Sequence, residues 1–123
     1  MNGHSILLDT NTVLYFLDGD DTLANFIQDK KVFISIITEL ELLAYKSLTA
    51  REIKVIESFI KDIDVINITP EIKVLSIKTR RATHLKLPDC IIAATALNLQ
   101  IPLMSADKGM KQVPGLNLVL YEK

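Results

Sequence analysis

Five short runs of apolar, largely β-branched residues alternate with longer stretches patterned as helices, and this alternation restricts the fold more than any other feature of the chain. The runs fall at 6–8, 32–37, 65–68, 102–105 and 116–120. Near-continuous apolar strands of this kind are covered on both faces. Between them, Thr38 with Glu41 and Thr49 with Glu52 have the spacing of capping boxes at two helix starts. The second of these helices carries Ile53, Ile56, Phe59, Ile60 and Ile63 on one stripe. Thr69-Pro70 and Pro88 mark two more starts. Strand and helix in alternation predict an α/β fold, with a mostly parallel sheet of about five strands, right-handed crossovers and helices on both faces.

A chain of 123 residues, 49% apolar, can bury one core without covalent staples and is too short for two, so 1–123 is expected to be a single domain. Its one cysteine, Cys90, excludes an internal disulfide framework and a thiolate metal cluster, and suits a cytoplasmic protein. No apolar run approaches the ~18 residues of a membrane span, so no membrane association is expected. The net charge of −1 argues, at face value, against a basic nucleic-acid binder.

The placement of the acids changes that reading. In an open parallel sheet, ligands bind beyond the carboxyl ends of the strands. Asp9 follows the first run, Glu41 lies in the first turn of the helix after the second, Asp89 opens the helix before the fourth, and Asp107 follows the fourth. Each has a plain structural explanation: Asp9 as a helix cap, Glu41 as the third residue of a capping box, Asp89 as a complement to a helix dipole, Asp107 as a turn residue. Together they ask for more. The helix over 88–99 is apolar nearly all round, with Ile91, Ile92, Ala93, Ala94, Ala96 and Leu97, so it is expected to be the most buried and to carry Asp89 toward the interior. Asp9 likewise adjoins an apolar strand. Partly buried like charges repel unless protonated or bridged by a cation, and a hard divalent ion such as Mg²⁺ suits carboxylate oxygens. Zinc is disfavoured, because His4, His84 and Cys90 are the only imidazoles and thiol.

Four segments in order, Ile6-Leu7-Leu8-Asp9-Thr10-Asn11, Ser35-Ile36-Ile37-Thr38-Glu39-Leu40-Glu41, Leu87-Pro88-Asp89-Cys90-Ile91-Ile92-Ala93-Ala94 and Leu103-Met104-Ser105-Ala106-Asp107, closely resemble the PIN-domain ribonucleases, in particular the VapC-type toxins of toxin–antitoxin pairs. The resemblance covers the whole chain and implies a PIN-like three-layer fold. It places a catalytic acidic quartet on Asp9, Glu41, Asp89 and Asp107, with Asn11 and the Ser105 hydroxyl in support. Thr10 would either cap a helix or help hold Asp9. The family's Thr-x-x-Glu spacing selects Glu41 over Glu39, which points to the other side of a helix. At Lys108-Gly109-Met110, where many relatives carry another acid or an aromatic, the chain departs from the pattern, which removes any expected fifth carboxylate.

The resemblance implies one or two Mg²⁺ or Mn²⁺ ions, with Asp9, Asp89 and Asp107 as direct ligands and Glu41 acting through water or on the nucleophile. It also implies an RNA substrate, a homodimer, and a small antitoxin whose tail covers the acidic groove. Lys78, Arg80 and Arg81, with Lys73, Lys86 and His84, form a basic stretch upstream of Asp89 that either binds RNA or is a solvated helix face. Lys108 and Lys111 follow Asp107 and are placed for similar work. Tyr15 and Phe16 are aromatics near the first acid, explained equally by core packing. Setting the quartet aside leaves 11 acids against 14 Lys+Arg, a mildly basic surround to an acidic pocket. The competing readings are a non-catalytic PIN-like RNA- or protein-interaction module, and a phospho-acceptor receiver. The receiver would want adjacent acids after the first strand and an acceptor acid after the third, and the chain has Asp9-Thr10 and Asn67-Ile68-Thr69.

Overall fold

The computed structural model describes residues 4–123. Five strands, β1 (Ser5–Leu8), β2 (Lys31–Ser35), β3 (Asp64–Ile66), β4 (Leu103–Ser105) and β5 (Leu118–Leu120), form one sheet of order β3-β2-β1-β4-β5. Every pairing is parallel, with Leu7 opposite Phe33 on one side and Leu103 on the other. Helices α1 (Thr10–Leu17) and α2 (Asp21–Ile27) connect β1 to β2, α3 (Ile36–Leu43) and α4 (Ala50–Lys61) connect β2 to β3, and α5 (Pro70–Ala82) and α6 (Leu87–Leu99) carry the chain back to β4. A 3-10 turn, Lys108–Gln112, leads toward β5.

Strand alternation divides the core. Leu7 and Leu103 pack to one face with Cys90, Ile92, Ala93 and Ala96 of α6, and Ile6, Leu8 and Met104 pack to the other with Val13, Leu23, Leu42 and Ile56. The alanines of α6 let it lie close to the sheet, and residues 92–96 of this helix are all buried, as its composition foretold. No described helix is long and apolar enough to cross a membrane.

The sequence reading needs correction at three points. The run over 32–37 is not all strand: the Ser35 hydroxyl accepts from the Ile37 N–H at 3.0 Å and starts α3, turning Ile36 and Ile37 into helix. Thr38 is therefore no cap, the Thr38–Glu41 box does not form, and Glu41 sits in the second turn; Thr49 and Glu52 do form their box. The helix credited to Pro88 begins at Leu87, with no side-chain cap from Lys86. Helix α2, capped by Asp20, was not anticipated: it is short and has only Leu23 and Ile27 buried.

The chain builds outward from β1 to β2 and β3, then returns to place β4 on the other side of β1. The connection order reverses between β1 and β4, and a crevice opens beyond the carboxyl ends of strands at such a reversal.

Candidate active site

Asp9 leaves β1 at that reversal. Its backbone N–H donates to the Met104 carbonyl at 2.9 Å, prolonging the β1–β4 ladder by one bond, and its carbonyl accepts from the Thr12 hydroxyl at 2.7 Å. The side chain caps α1, with Oδ1 accepting from the Thr10 N–H at 2.8 Å. The other oxygen, Oδ2, accepts from the Ser105 hydroxyl at 2.6 Å and from the Asn11 amide at a long 3.5 Å. Ser105 in turn accepts from the Asp107 N–H at 3.0 Å, and the Asn11 Oδ1 accepts from the Ala106 N–H at 3.1 Å. Asn11 and Ser105 thus tie the ends of β1 and β4 together around the Asp9 carboxylate. Of the two roles open to Thr10, the structure gives it the second: Asp9 is the cap, the Thr10 N–H holds the Asp9 carboxylate, and the Thr10 hydroxyl serves a different acid, donating to Glu41 Oε1 at 2.6 Å.

The cleft there, about 290 Å³, is lined by all four expected acids, Asp9, Glu41, Asp89 and Asp107, with Thr10, Asn11, Leu14, Leu42 and Tyr45. Asp89 arrives on the first turn of α6 and Asp107 from the turn after β4, where the Gly109 N–H holds its Oδ1 at 2.8 Å. A Cβ at Gly109 would lie 3.0 Å from that oxygen and 3.2 Å from Leu85, so glycine is what lets the turn close on Asp107. Burial pushes the Asp9 carboxyl from 3.8 up to about 6, against the opposing hydrogen bonds of Ser105 and Thr10 and with help from the charges of Asp89 and Asp107. Asp89 is raised too, first by burial, then by Asp107 and Glu41, with Lys86 opposing. Two carboxyls resisting ionisation in one cleft make it the candidate functional site.

All donors in the cleft are oxygens, which suits a hard divalent cation and not zinc. Among the described residues no three His, Cys, Asp or Glu side chains stand close enough to share one ion.

Lys78, Arg80 and Arg81 are exposed on α5, and neither they nor His84 line the cleft; the Lys86 charge does reach Asp89. Tyr15 and Phe16 pack against Tyr121 and Phe59, with ring centroids 6.2 and 5.6 Å apart. The aromatic at the cleft is Tyr45, 62% exposed in the turn after α3, which sequence reasoning missed. Its place three residues beyond the buried Leu42, just past the helix end, was the available signal.

The fold recurs in solved structures of toxin–antitoxin complexes. A toxin–antitoxin complex from Klebsiella pneumoniae matches with 27% identity and a TM-score of 0.82, covering 96% of this chain and 99% of that one. VapBC-1 from nontypeable Haemophilus influenzae matches with 22% identity and a TM-score of 0.83, over 94% and 97%. VapBC2 from Rickettsia felis, bound to a DNA fragment from its promoter, matches with 17% identity and a TM-score of 0.82, over 96% and 99%. No curated protein matches significantly. Residues 6–116 match the PIN domain, a span that runs from the first strand through every acid of the cleft, and the chain belongs to that family.

Proposed function

We propose that the chain is a Mg²⁺- or Mn²⁺-dependent endoribonuclease and the toxin of a toxin–antitoxin pair. The observation that carries this is the meeting of Asp9, Glu41, Asp89 and Asp107 in one cleft at the β1–β4 reversal. The likeness to the Klebsiella pneumoniae toxin–antitoxin complex supports the antitoxin as partner; the homodimer rests on the resemblance of the sequence, and the cytoplasmic setting on its single cysteine.

Asp9, Asp89 and Asp107 would hold the metal between them, one or two of them directly and the rest through its bound waters, and when bound it would supply positive charge to the scissile phosphate and lower the pKa of the attacking water. Ser105 and the Thr10 N–H fix both oxygens of Asp9, so the carboxylate is oriented before substrate arrives. Asp107 is fixed by Gly109. One oxygen of Glu41 is held by Thr10, and the other, with no partner among the described residues, can accept the proton of the attacking water. The phosphorus–oxygen bond to the leaving strand then breaks in line with the new one, and the leaving oxygen takes a proton from solvent. Tyr45 offers a face on which a base can stack, and Arg80, Arg81 and Lys78 a track for the backbone outside the cleft.

The test is cleavage of a labelled single-stranded RNA by the purified protein. Cleavage is expected with Mn²⁺ or Mg²⁺, and is expected to stop with excess chelator and in Asp9→Asn and Asp89→Asn. Full cleavage in chelator would refute the metal mechanism. Metal-dependent RNA binding without cleavage would favour the non-catalytic module.

A further inference from the structure

Several buried hydroxyls in or at the end of the helices return to a carbonyl one turn back. Ser76 donates to the Ile72 carbonyl at 2.7 Å, Thr95 to Ile91 at 2.7 Å and Thr83 to Thr79 at 2.9 Å. Thr38 departs from this habit. It is 0% exposed in the first turn of α3, and its hydroxyl reaches across to α1, 3.0 Å from the Thr10 Oγ1, its one hydrogen-bond partner among the described residues.

The direction of that contact follows from counting protons. A threonine hydroxyl has one, and a carboxylate has none to give. The Thr10 proton goes to Glu41 Oε1 at 2.6 Å. Thr38 must therefore donate to Thr10, which makes a one-way chain from Thr38 through Thr10 to Glu41. Thr38 and Glu41 stand three residues apart on one face of α3, with the Thr10 hydroxyl from α1 between them. An exposed glutamate otherwise spreads over several staggered rotamers. Here its carboxylate is tied to a hydroxyl whose own rotamer is set from the core.

We propose that Thr38 is a positioning residue that, through Thr10, holds the Glu41 carboxylate in the cleft. This rests on the nuclease reading only in that Glu41 acts there on the attacking water. Thr38→Val removes the hydroxyl at nearly constant volume, and Thr38→Ser keeps it. Three-bond couplings to the Thr10 γ-methyl, measured without metal, are expected to report one χ1 rotamer in the wild type and T38S and an averaged value in T38V. RNA turnover in T38V should fall about 3- to 10-fold, as for the loss of one hydrogen bond, with KM unchanged and most of the loss recovered in T38S. In a Glu41→Gln background T38V should cause no further loss. Thr10→Val, at a less buried position, breaks the same chain and gives the same loss should T38V fold poorly. A single Thr10 rotamer in folded T38V, or an equal loss with and without Glu41, overturns the proposal. Averaging at Thr10 in a protein that cleaves no RNA would overturn the nuclease reading and leave the positioning role standing.

Discussion

Replacing Asp9 with asparagine should make the protein more stable at neutral pH and not in acid. Asp9 is 4% exposed, and its carboxyl is pushed from 3.8 up to about 6, chiefly by burial. In the unfolded chain it titrates at the ordinary value. Between the two, the folded state binds more protons than the unfolded state, so stability falls as pH rises from about 4 through about 6 and levels off above. At roughly 1.4 kcal/mol per pH unit, the ionised side chain costs the fold about 3 kcal/mol at pH 7 relative to a pH well below 4. Asparagine removes that term. It can still accept from the Thr10 N–H, but its amide meets a Ser105 hydroxyl whose proton then lacks an acceptor, a loss of about 1 to 2 kcal/mol. The net gain at pH 7 is about 1 to 2 kcal/mol.

Urea unfolding of wild type and D9N at half-unit steps from pH 4 to 7, without metal, measures this directly. Groups that do not interact with Asp9 cancel in the difference between the two proteins, and the nearby Asp89 and Asp107, relieved of its charge, add a smaller term of the same sign. The expected difference grows by about 2.4 kcal/mol in favour of D9N across that range. A difference that stays flat with pH would mean the Asp9 carboxyl ionises as easily folded as unfolded, and the electrostatic account of the cleft would fail. Adding Mn²⁺ at pH 7 should then stabilise the wild type and leave D9N unmoved, because a ligand stabilises only the state that binds it.

Arg80→Ala with Arg81→Ala should flatten the slope of log affinity for single-stranded RNA against log salt by about 1.4, the value for two lost phosphate contacts; an unchanged slope removes the α5 patch from the RNA path. Tyr45→Ala should weaken RNA binding by about 1 to 3 kcal/mol and Tyr45→Phe should not, a pair that titration by fluorescence anisotropy separates; equal losses would assign the effect to the hydroxyl and not the ring. Gly109→Ala should lower RNA turnover by displacing Asp107, since its Cβ would come within 3.0 Å of Oδ1, while urea unfolding shows a loss no greater than about 1 to 3 kcal/mol; wild-type turnover would show that Asp107 need not be held there.

The sheet was legible because both sides of each central strand had to be apolar, and the strand ends then located the acids. Boundaries were less legible where one run suits two structures. Ile36 and Ile37 are β-branched and apolar, fit for a buried strand, yet the Ser35 hydroxyl turns them into helix. That single bond also decides that Thr38 lies inside α3 and not at its cap. Its pairing with Thr10, 28 residues away, depends on how α1 packs against α3, which no local pattern encodes. The basic stretch on α5 was visible as composition, but whether it walls the cleft depends on the tilt of α5 and α6, and the structure puts its cations outside the lining.

Asp9 admitted two explanations from sequence, a helix cap or a metal ligand, and the structure makes them compatible. Oδ1 caps α1 and Oδ2 takes the Ser105 hydroxyl. Capping alone does not account for the residue. Asparagine and serine cap a helix about as well as aspartate, and neither carries a charge that burial and the neighbouring Asp89 and Asp107 oppose. A side chain kept only for the cap would shed the ionised oxygen and its cost of about 3 kcal/mol at neutral pH. The carboxylate is instead oriented by two short bonds at the point where the chain reverses its strand order. Under the proposed function a hydrated divalent cation would offset its negative charge, and it is the partner that an all-oxygen cleft can take.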